Sequence, residues 1–471
     1  MFVFGVKELD QMFKDTLLPG SLVVVVGHPG AGKTTLASTI CSANAVNGKK
    51  CLYITFQENR KKLFMIMKRL GIDLENLETR ELLQFVKFPL AITPEDAIAE
   101  IGKLVNKGGF SVVVVDSINS LLKSVEKDEV RRAWLQNYFY ELACDISGLV
   151  VLVAELPFGG ERVELGDIEF VADAVLILKH QVEKGLLVRS MEIRKIRGAP
   201  LTIAEIPFSI VKGKGITLHP PIVMEDIGSE YEEIMVASKD MLVLEPVKRI
   251  ERIFGRLRRG QVLYIAYPPY IRPVEIVLSI ILGIAILNKL KVGVISYKYS
   301  SKNMEEFLTR TLTGYGLEEK NAENLVREFF VFNSVNPFSL SLPELIHRHR
   351  EFTDSCGCDM VMFHEIELLQ KSAPTSQWLQ VFFNLLNYLK MRKKMIALTA
   401  STINDELFGI NSALSDVILK FEPIETTDGL DYKMLIWSKG YKPYVASPRE
   451  VEQYVQELVS LVKATARGEH R

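Results

Sequence analysis

The segment "GSLVVVVGHPGAGKTTLASTICSANAV", residues 20–46, narrows the fold more than any other part of the chain. Its apolar run from Leu22 to Val26 has the form of a strand buried on both faces, and a glycine-rich turn leads from it into a helix opening near Lys33. Gly27, Gly32, Lys33 and Thr34 complete a G-x-x-x-x-G-K-[ST] pattern, with Gly30 inside the turn and Thr35 next in the helix. Glycines let successive backbone N–H groups converge on a phosphate, and the helix N-terminus adds partial positive charge. Lys33 is placed to reach the β- and γ-phosphates and the Thr34 hydroxyl to ligate Mg²⁺, so ATP and Mg²⁺ are the expected cofactors. His28 takes a free loop position and is expected to be solvated.

Four further strands follow. "CLYITFQE" ends in Gln57 and Glu58, and "FSVVVVDSINSLL" carries four valines before Asp116, the Walker B form in which the carboxylate holds Mg²⁺ through water. "GLVVLVAE" and "DAVLILK" continue the β–α alternation of a doubly wound sheet, whose ligands lie at the C-terminal ends of the strands. Residues 186–218 lack a helix signal and read as antiparallel strands, with turns at Gly198 and at Gly213 to Gly215.

In order along the chain, "FGVKELD", "GHPGAGKTT", "YITFQE", "VVVVDS", "DAVLILK" and "EIRKIRG…IPFSI…GI" resemble the KaiC-like ATPases of the RecA superfamily over residues 1–222. The resemblance implies ATP and Mg²⁺ held at a subunit interface in a homo-oligomeric ring, typically a hexamer. It also implies that the Lys195-Ile196-Arg197-Gly198 segment reaches the γ-phosphate of a neighbouring subunit. Cations supplied in trans stabilise phosphoryl transfer, and Lys195 and Arg197, alternate residues of one strand, share a face. One position departs from the family pattern. Where the first of two glutamates would polarise the attacking water stands Gln57, followed by Glu58. Glutamine can orient a water but cannot accept its proton, so either Glu58 is the base or the domain hydrolyses slowly and acts as a nucleotide-gated switch.

The second half repeats the first without its chemistry. "GQVLYIAYPPYIRPVEIVLSIILGIA" aligns without gaps on the phosphate-loop segment, "VGVISYKY" parallels "CLYITFQE", "DMVMFHEIELL" parallels "SVVVVDSINSL", and "SDVILKF" parallels "ADAVLIL". Gly32, Lys33 and Thr34 become Arg272, Pro273 and Val274; a one-residue shift pairs Lys33 with Arg272 and changes little else. Gln57 and Glu58 become Lys298 and Tyr299, Asp116 becomes His364, and "IWSKG" sets Trp437 and Lys439 where Lys195 and Arg197 stood. Proline donates no N–H and valine offers a metal nothing. No autokinase activity is expected from such a site.

The expected fold class is therefore α/β: two tandem RecA-like P-loop NTPase domains, each a mostly parallel central sheet flanked by helices with antiparallel strands at its C-terminal edge. Residues 1–222 form the ATP-binding domain and 223–240 an acidic linker. Residues 241–446 form the degenerate domain, and 447–471 a C-terminal amphipathic helix and tail. That helix opens on a capping box, Ser447-Pro448-Arg449-Glu450, and aligns Val451, Tyr454, Val455, Leu458 and Val462 on one face, to be packed on its own domain or on a partner.

Composition excludes other classes. A chain of 471 residues, 48% apolar, exceeds the roughly 250 residues at which single cores stop growing. Lys and Arg total 57 against 58 Asp and Glu, so no global positive field draws it to nucleic acid. The loop that would meet DNA in a RecA-type recombination protein, "PFGGERVELGDIEF", is net acidic. Recombination or repair is the alternative reading. The longest apolar run, Ile276 to Leu287, is shorter than the ~20 residues of a membrane span. The N-terminus has no signal-peptide pattern and the five cysteines are mostly isolated, as in a reducing cytoplasm. His347, His349, Cys356, Cys358 and His364 gather zinc-favouring types, but their spacing matches no usual structural zinc pattern and they are expected to be unrelated structural residues.

Overall fold

The computed structural model describes residues 1–122, 129–156, 168–183, 185–201, 203–223, 241–242, 257–269, 274–401, 405–427 and 429–466. Most of the acidic linker, residues 157–167 of the loop weighed for DNA, and residues 270–273, with Arg272 and Pro273, lie outside them. The chain divides into two compact units, Met1–Pro220 and Pro221–Arg471.

The first unit is built on nine strands: β1 (Ser21–Gly27), β2 (Cys51–Thr55), β3 (Leu83–Lys87), β4 (Val112–Asp116), β5 (Leu149–Glu155), β6 (Ala174–Glu183), β7 (Leu186–Ile196), β8 (Glu205–Val211) and β9 (Gly215–Leu218). They lie in the order β3-β2-β4-β5-β1-β6-β7-β8-β9, parallel through β6 and antiparallel beyond it. Strand alternation explains the valine run of β1. Leu22, Val24 and Val26 enter one core with Phe139 and Leu142, while Val23 and Val25 enter the other with Leu36, Ala37 and Ile40 of the helix Lys33–Val46. Strand order reverses beside β1, the position where open α/β sheets leave a crevice at their C-terminal edge.

The second unit opens with a short ribbon, β10 (Met241–Leu242) against β11 (Leu257–Arg258). Its sheet contains β12 (Val262–Tyr267), β13 (Val292–Ser296), β14 (Phe330–Ser334), β15 (Met360–His364), β16 (Met395–Ser401), β17 (Val417–Thr426), β18 (Gly429–Ser438) and β19 (Tyr444–Ala446). The order β14-β13-β15-β16-β12-β17-β18-β19 follows that of the first sheet strand for strand, less one edge strand. Both units are thus RecA-like sheets of mostly parallel strands flanked by helices.

The helix Val274–Leu287 is apolar almost all round, which requires cover on every side. The sheet supplies one side and the C-terminal helix Pro448–Ala466 another. Val451, Tyr454, Val455, Leu458 and Val462 enter the same core as Ile280, Ile281 and Ile284. Contact is close enough that a side chain at Gly283 would meet Leu458 Cδ2 at 2.7 Å. Of the two uses open to that amphipathic face, the fold takes packing on its own domain. Ser447 and Glu450 form the reciprocal cap: the Ser447 N–H donates to Glu450 Oε2 at 2.9 Å and the Glu450 N–H to Ser447 Oγ at 3.4 Å. Cys356 and Cys358 are joined in a disulfide, which isolated structural thiols would not be. Among the described residues, no helix is long and apolar enough to cross a membrane.

Candidate nucleotide site

The phosphate-loop pattern occupies the C-terminal end of β1, next to the crevice. Gly27 ends the strand where no side chain fits, because a Cβ there would lie 2.4 Å from the Leu178 carbonyl oxygen. Gly30 and Gly32 take φ of 78° and 108°, the left-handed region that glycine alone enters without strain, and the helix starts at the next residue. Lys33, 8% exposed, lies over this loop and donates from Nζ to the His28 carbonyl at 2.9 Å. Burial lowers its pKa, and the carboxylates of Glu155 and Asp116 act in the opposite direction. Thr35 is buried in the first helical turn, and Thr34, half-buried, hydrogen-bonds the Asp116 side chain.

Asp116 ends β4 with 7% exposure, and its peptide bond to Ser117 is cis. Burial raises its carboxyl pKa, against hydrogen bonds from Tyr53 and Thr34 and the charge of Lys33 that favour the carboxylate. The Tyr53 hydroxyl donates to Oδ2 at 2.8 Å. Glu58 is half-buried and near enough for its charge to oppose ionisation of Asp116, and its N–H is anchored on Thr55 Oγ1 at 3.1 Å. Gln57 is exposed, and its carbonyl accepts from Lys87 Nζ at 3.2 Å. At the end of β5, directly beside Gly27 in register, Glu155 completes the group; its N–H donates to Asn119 Oδ1 at 2.6 Å. The loop, Lys33, Thr34, Asp116, Glu58 and Glu155 therefore share one sheet edge. Tyr53, Asn119 and Glu155 are not residues that motif spacing selects. Glu155 had a usable signal, a carboxylate closing a buried strand as Asp116 does, whereas Tyr53 sits in an apolar run and reads as core.

Lys195 and Arg197 belong to the other end of the sheet. Lys195 pairs with Val175, which is level with Val24, whereas Gly27 is level with Leu178. Three residues of strand put the lysine about 10 Å back from the loop, and two strand spacings to the side. There Lys195 Nζ donates to the Phe170 carbonyl at 2.9 Å, and Arg197 pairs with Asp173 at 2.9 Å. The two cations do not join the loop of their own chain.

A family model described as "ATPase: KaiC" matches residues 3–222. The first unit is a KaiC-like ATPase domain of the RecA superfamily. Among curated relatives, the circadian clock oscillator protein KaiC of Parathermosynechococcus lividus is 24% identical over 196 residues, 41% of this chain and 36% of that protein. KaiC of Prochlorococcus marinus is 26% identical over 196 residues, 41% of this chain and 38% of its own. KaiC of Nostoc sp. is 24% identical over 258 residues, 55% and 48% of the two chains. The matches thus span less than half the length of these relatives.

Register carries the KaiC-like site onto the second unit residue by residue. Ser296 pairs with His364 as Thr55 does with Asp116, and Tyr267 with Ser401 as Gly27 does with Glu155. Lys298 then stands for Gln57, and the carboxylate has moved one position on, to Glu365. This residue, 3% exposed and held at φ 59°, accepts from the Tyr267 hydroxyl at 2.8 Å and from Ser401 Oγ at 2.6 Å, and pairs with Lys298 Nζ at 3.5 Å. Burial pushes the Glu365 carboxyl up, but Ser401, His364, Tyr267 and Lys298 together hold it below the usual carboxylate range. His364 is hydrogen-bonded to Ser296 Oγ at 3.1 Å and pushed down to about 4 by burial. His349 bonds Tyr297 at 2.8 Å and is pushed down to about 3 by burial. Lys439 repeats the Arg197 arrangement, with Nζ 2.8 Å from Asp416, the counterpart of Asp173.

Proposed function

We propose that the chain is an ATP-gated assembly protein that binds Mg·ATP at its first unit only, turns it over slowly, and uses the second unit as a structural or partner-binding pseudo-ATPase. The carrying observation is the contrast between two equivalent sheet edges. In the first, a loop with glycine at positions 27, 30 and 32 lies beside Lys33, Thr34 and Asp116. In the second, Glu365, Lys298, Tyr267 and Ser401 satisfy one another where a phosphate would have to enter, and a buried carboxylate repels an anion.

The donor set fits a metal nucleotide. Gly27, Gly30, Gly32, Lys33, Thr34 and Thr35 would hold the phosphates, and Thr34 with Asp116 would hold Mg²⁺, which neutralises phosphate charge when bound. Glu58 is the better candidate for the base, because its side chain is half-buried beside Asp116 while that of Gln57 is exposed. Lys195 and Arg197, displaced from their own loop, suit a neighbour's nucleotide in a homo-oligomeric ring. The recombination reading is not favoured, since the relatives quoted above are clock oscillator proteins.

Solution mass with ATP, with ADP and without nucleotide, measured alongside turnover, tests the proposal. A larger assembly with ATP and few turnovers is expected, and Lys33→Ala should lose both nucleotide binding and the mass change. Wild-type ATP affinity in that variant, or nucleotide bound at the second unit, would overturn the reading.

A further inference from the structure

We infer that Cys356-Gly357-Cys358 is a reversible thiol–disulfide exchange site, whose co-substrate is a low-molecular-weight or protein disulfide. The pair closes the helix Leu342–Ser355 and leads into β15, remote in sequence from the nucleotide residues. Gly357 takes φ 62°, the left-handed turn that brings the flanking cysteines together, with Cα atoms 5.3 Å apart.

Three observations separate this pair from a structural staple. A bridge across one intervening residue closes a very short loop, and the stabilisation a crosslink draws from restricting the unfolded chain grows with loop length. The two sulfurs also differ in access, Cys356 being half-buried and Cys358 only 5% exposed, which suits one thiol for attack from solvent and the other for resolution. Finally, the strand beside the pair is cut away for it. A Cβ at Gly293 would lie 2.7 Å from Cys358 Sγ and 3.3 Å from Cys356 Sγ, so glycine there admits both sulfurs. Lys394 donates to the Cys358 carbonyl at 2.6 Å and brings a cation to the loop, offsetting the helix C-terminus, which disfavours a thiolate. Cys41, Cys51 and Cys144 are unbridged.

In the oxidising direction, the Cys356 thiolate attacks one sulfur of the disulfide R–S–S–R, forming a mixed disulfide and releasing RS⁻. The Cys358 thiolate then attacks Cys356 Sγ, closing the ring and releasing the second RS⁻. The two cysteines lose two electrons and two protons, and the co-substrate becomes two thiols.

The full-length protein is equilibrated in buffers of reduced and oxidised glutathione, quenched with acid, alkylated and read by peptide mass. The ratio of disulfide to dithiol at positions 356 and 358 is expected to change tenfold for each tenfold change in oxidised glutathione over the square of reduced glutathione, while the buried Cys41 and Cys51 stay thiols. Cys358→Ser should accumulate glutathione on Cys356. A pair that stays dithiol in every buffer, or stays disulfide in the folded protein under excess dithiothreitol, overturns the proposal. The wild-type titration decides this even if the variant fails to fold.

Discussion

Tyr53→Phe removes one of the two side-chain donors to Asp116 while leaving the packing almost unchanged. The phenol oxygen is 2.8 Å from Oδ2, both residues are buried, and phenylalanine keeps the ring that stacks on Phe85. A hydrogen bond to a charged group contributes about 1.5–3 kcal/mol, and here it stabilises only the ionised carboxyl. Its loss moves the Asp116 pKa further in the direction in which burial has already moved it, upward. In the proposed site, Mg²⁺ would be held by the carboxylate. Well above the pKa the group is ionised in both proteins and affinity should change little; below it the proton competes, and 1.5–3 kcal/mol corresponds to roughly 10–150-fold weaker metal-dependent binding. Titration of a fluorescent ATP analogue across pH, with and without Mg²⁺, separates the metal-dependent part. Equal weakening at every pH, or no extra loss on the acid side, would refute the reasoning.

Glu58→Gln should lower turnover by about 10²-fold or more at unchanged ATP affinity, whereas Gln57→Glu should change it only a few-fold; steady-state hydrolysis with parallel binding decides which residue is the base. Gly27→Ala forces a methyl against the Leu178 carbonyl, 2.4 Å away, and should destabilise the first unit by about 1–3 kcal/mol and abolish nucleotide binding, as read by thermal melts and titration. Leu458→Ala empties a fully packed site on the C-terminal helix and should destabilise the second unit by about 2–5 kcal/mol in urea unfolding, with ATP affinity retained. His349 and His364 are held neutral in the fold, at about 3 and about 4 against 6.5 when unfolded, so the unfolded chain binds more protons between those values. Stability of the second unit is then fully present above about pH 6.5 and falls by about 1.4 kcal/mol per pH unit for each histidine on acidification, which urea titrations at pH 7 and 5 would show.

The fold was legible because its signals are local and repeated. An apolar run, a glycine turn and a helix state the strand-to-loop geometry of β1, and the ordered matches between the two halves anticipate a strand order that recurs down to the pairing of Ser296 with His364. Residues placed by their position in a motif, such as Lys33, Thr34 and Asp116, could be expected at one sheet edge in advance. Others depend on which strands become neighbours. Tyr53 meets Asp116 only because β2 lies against β4, and Glu155 meets the loop only because β5 lies against β1. Glu365 was hidden for a different reason. The alignment drew attention to His364, while the working carboxylate is one residue later, turned inward by a left-handed backbone.

On the proposed reading, that one-residue displacement makes a phosphate site in the second unit hard to reach by single substitutions. Returning an aspartate to position 364 would set a second acid beside Glu365 with one lysine between them, and removing Glu365 first would leave Lys298, Tyr267 and Ser401 without the group that orders them. A phosphate-binding loop introduced alone would face a carboxylate. On the proposed reading, an engineered phosphate site in the second unit would therefore have to change loop, acid and lysine together.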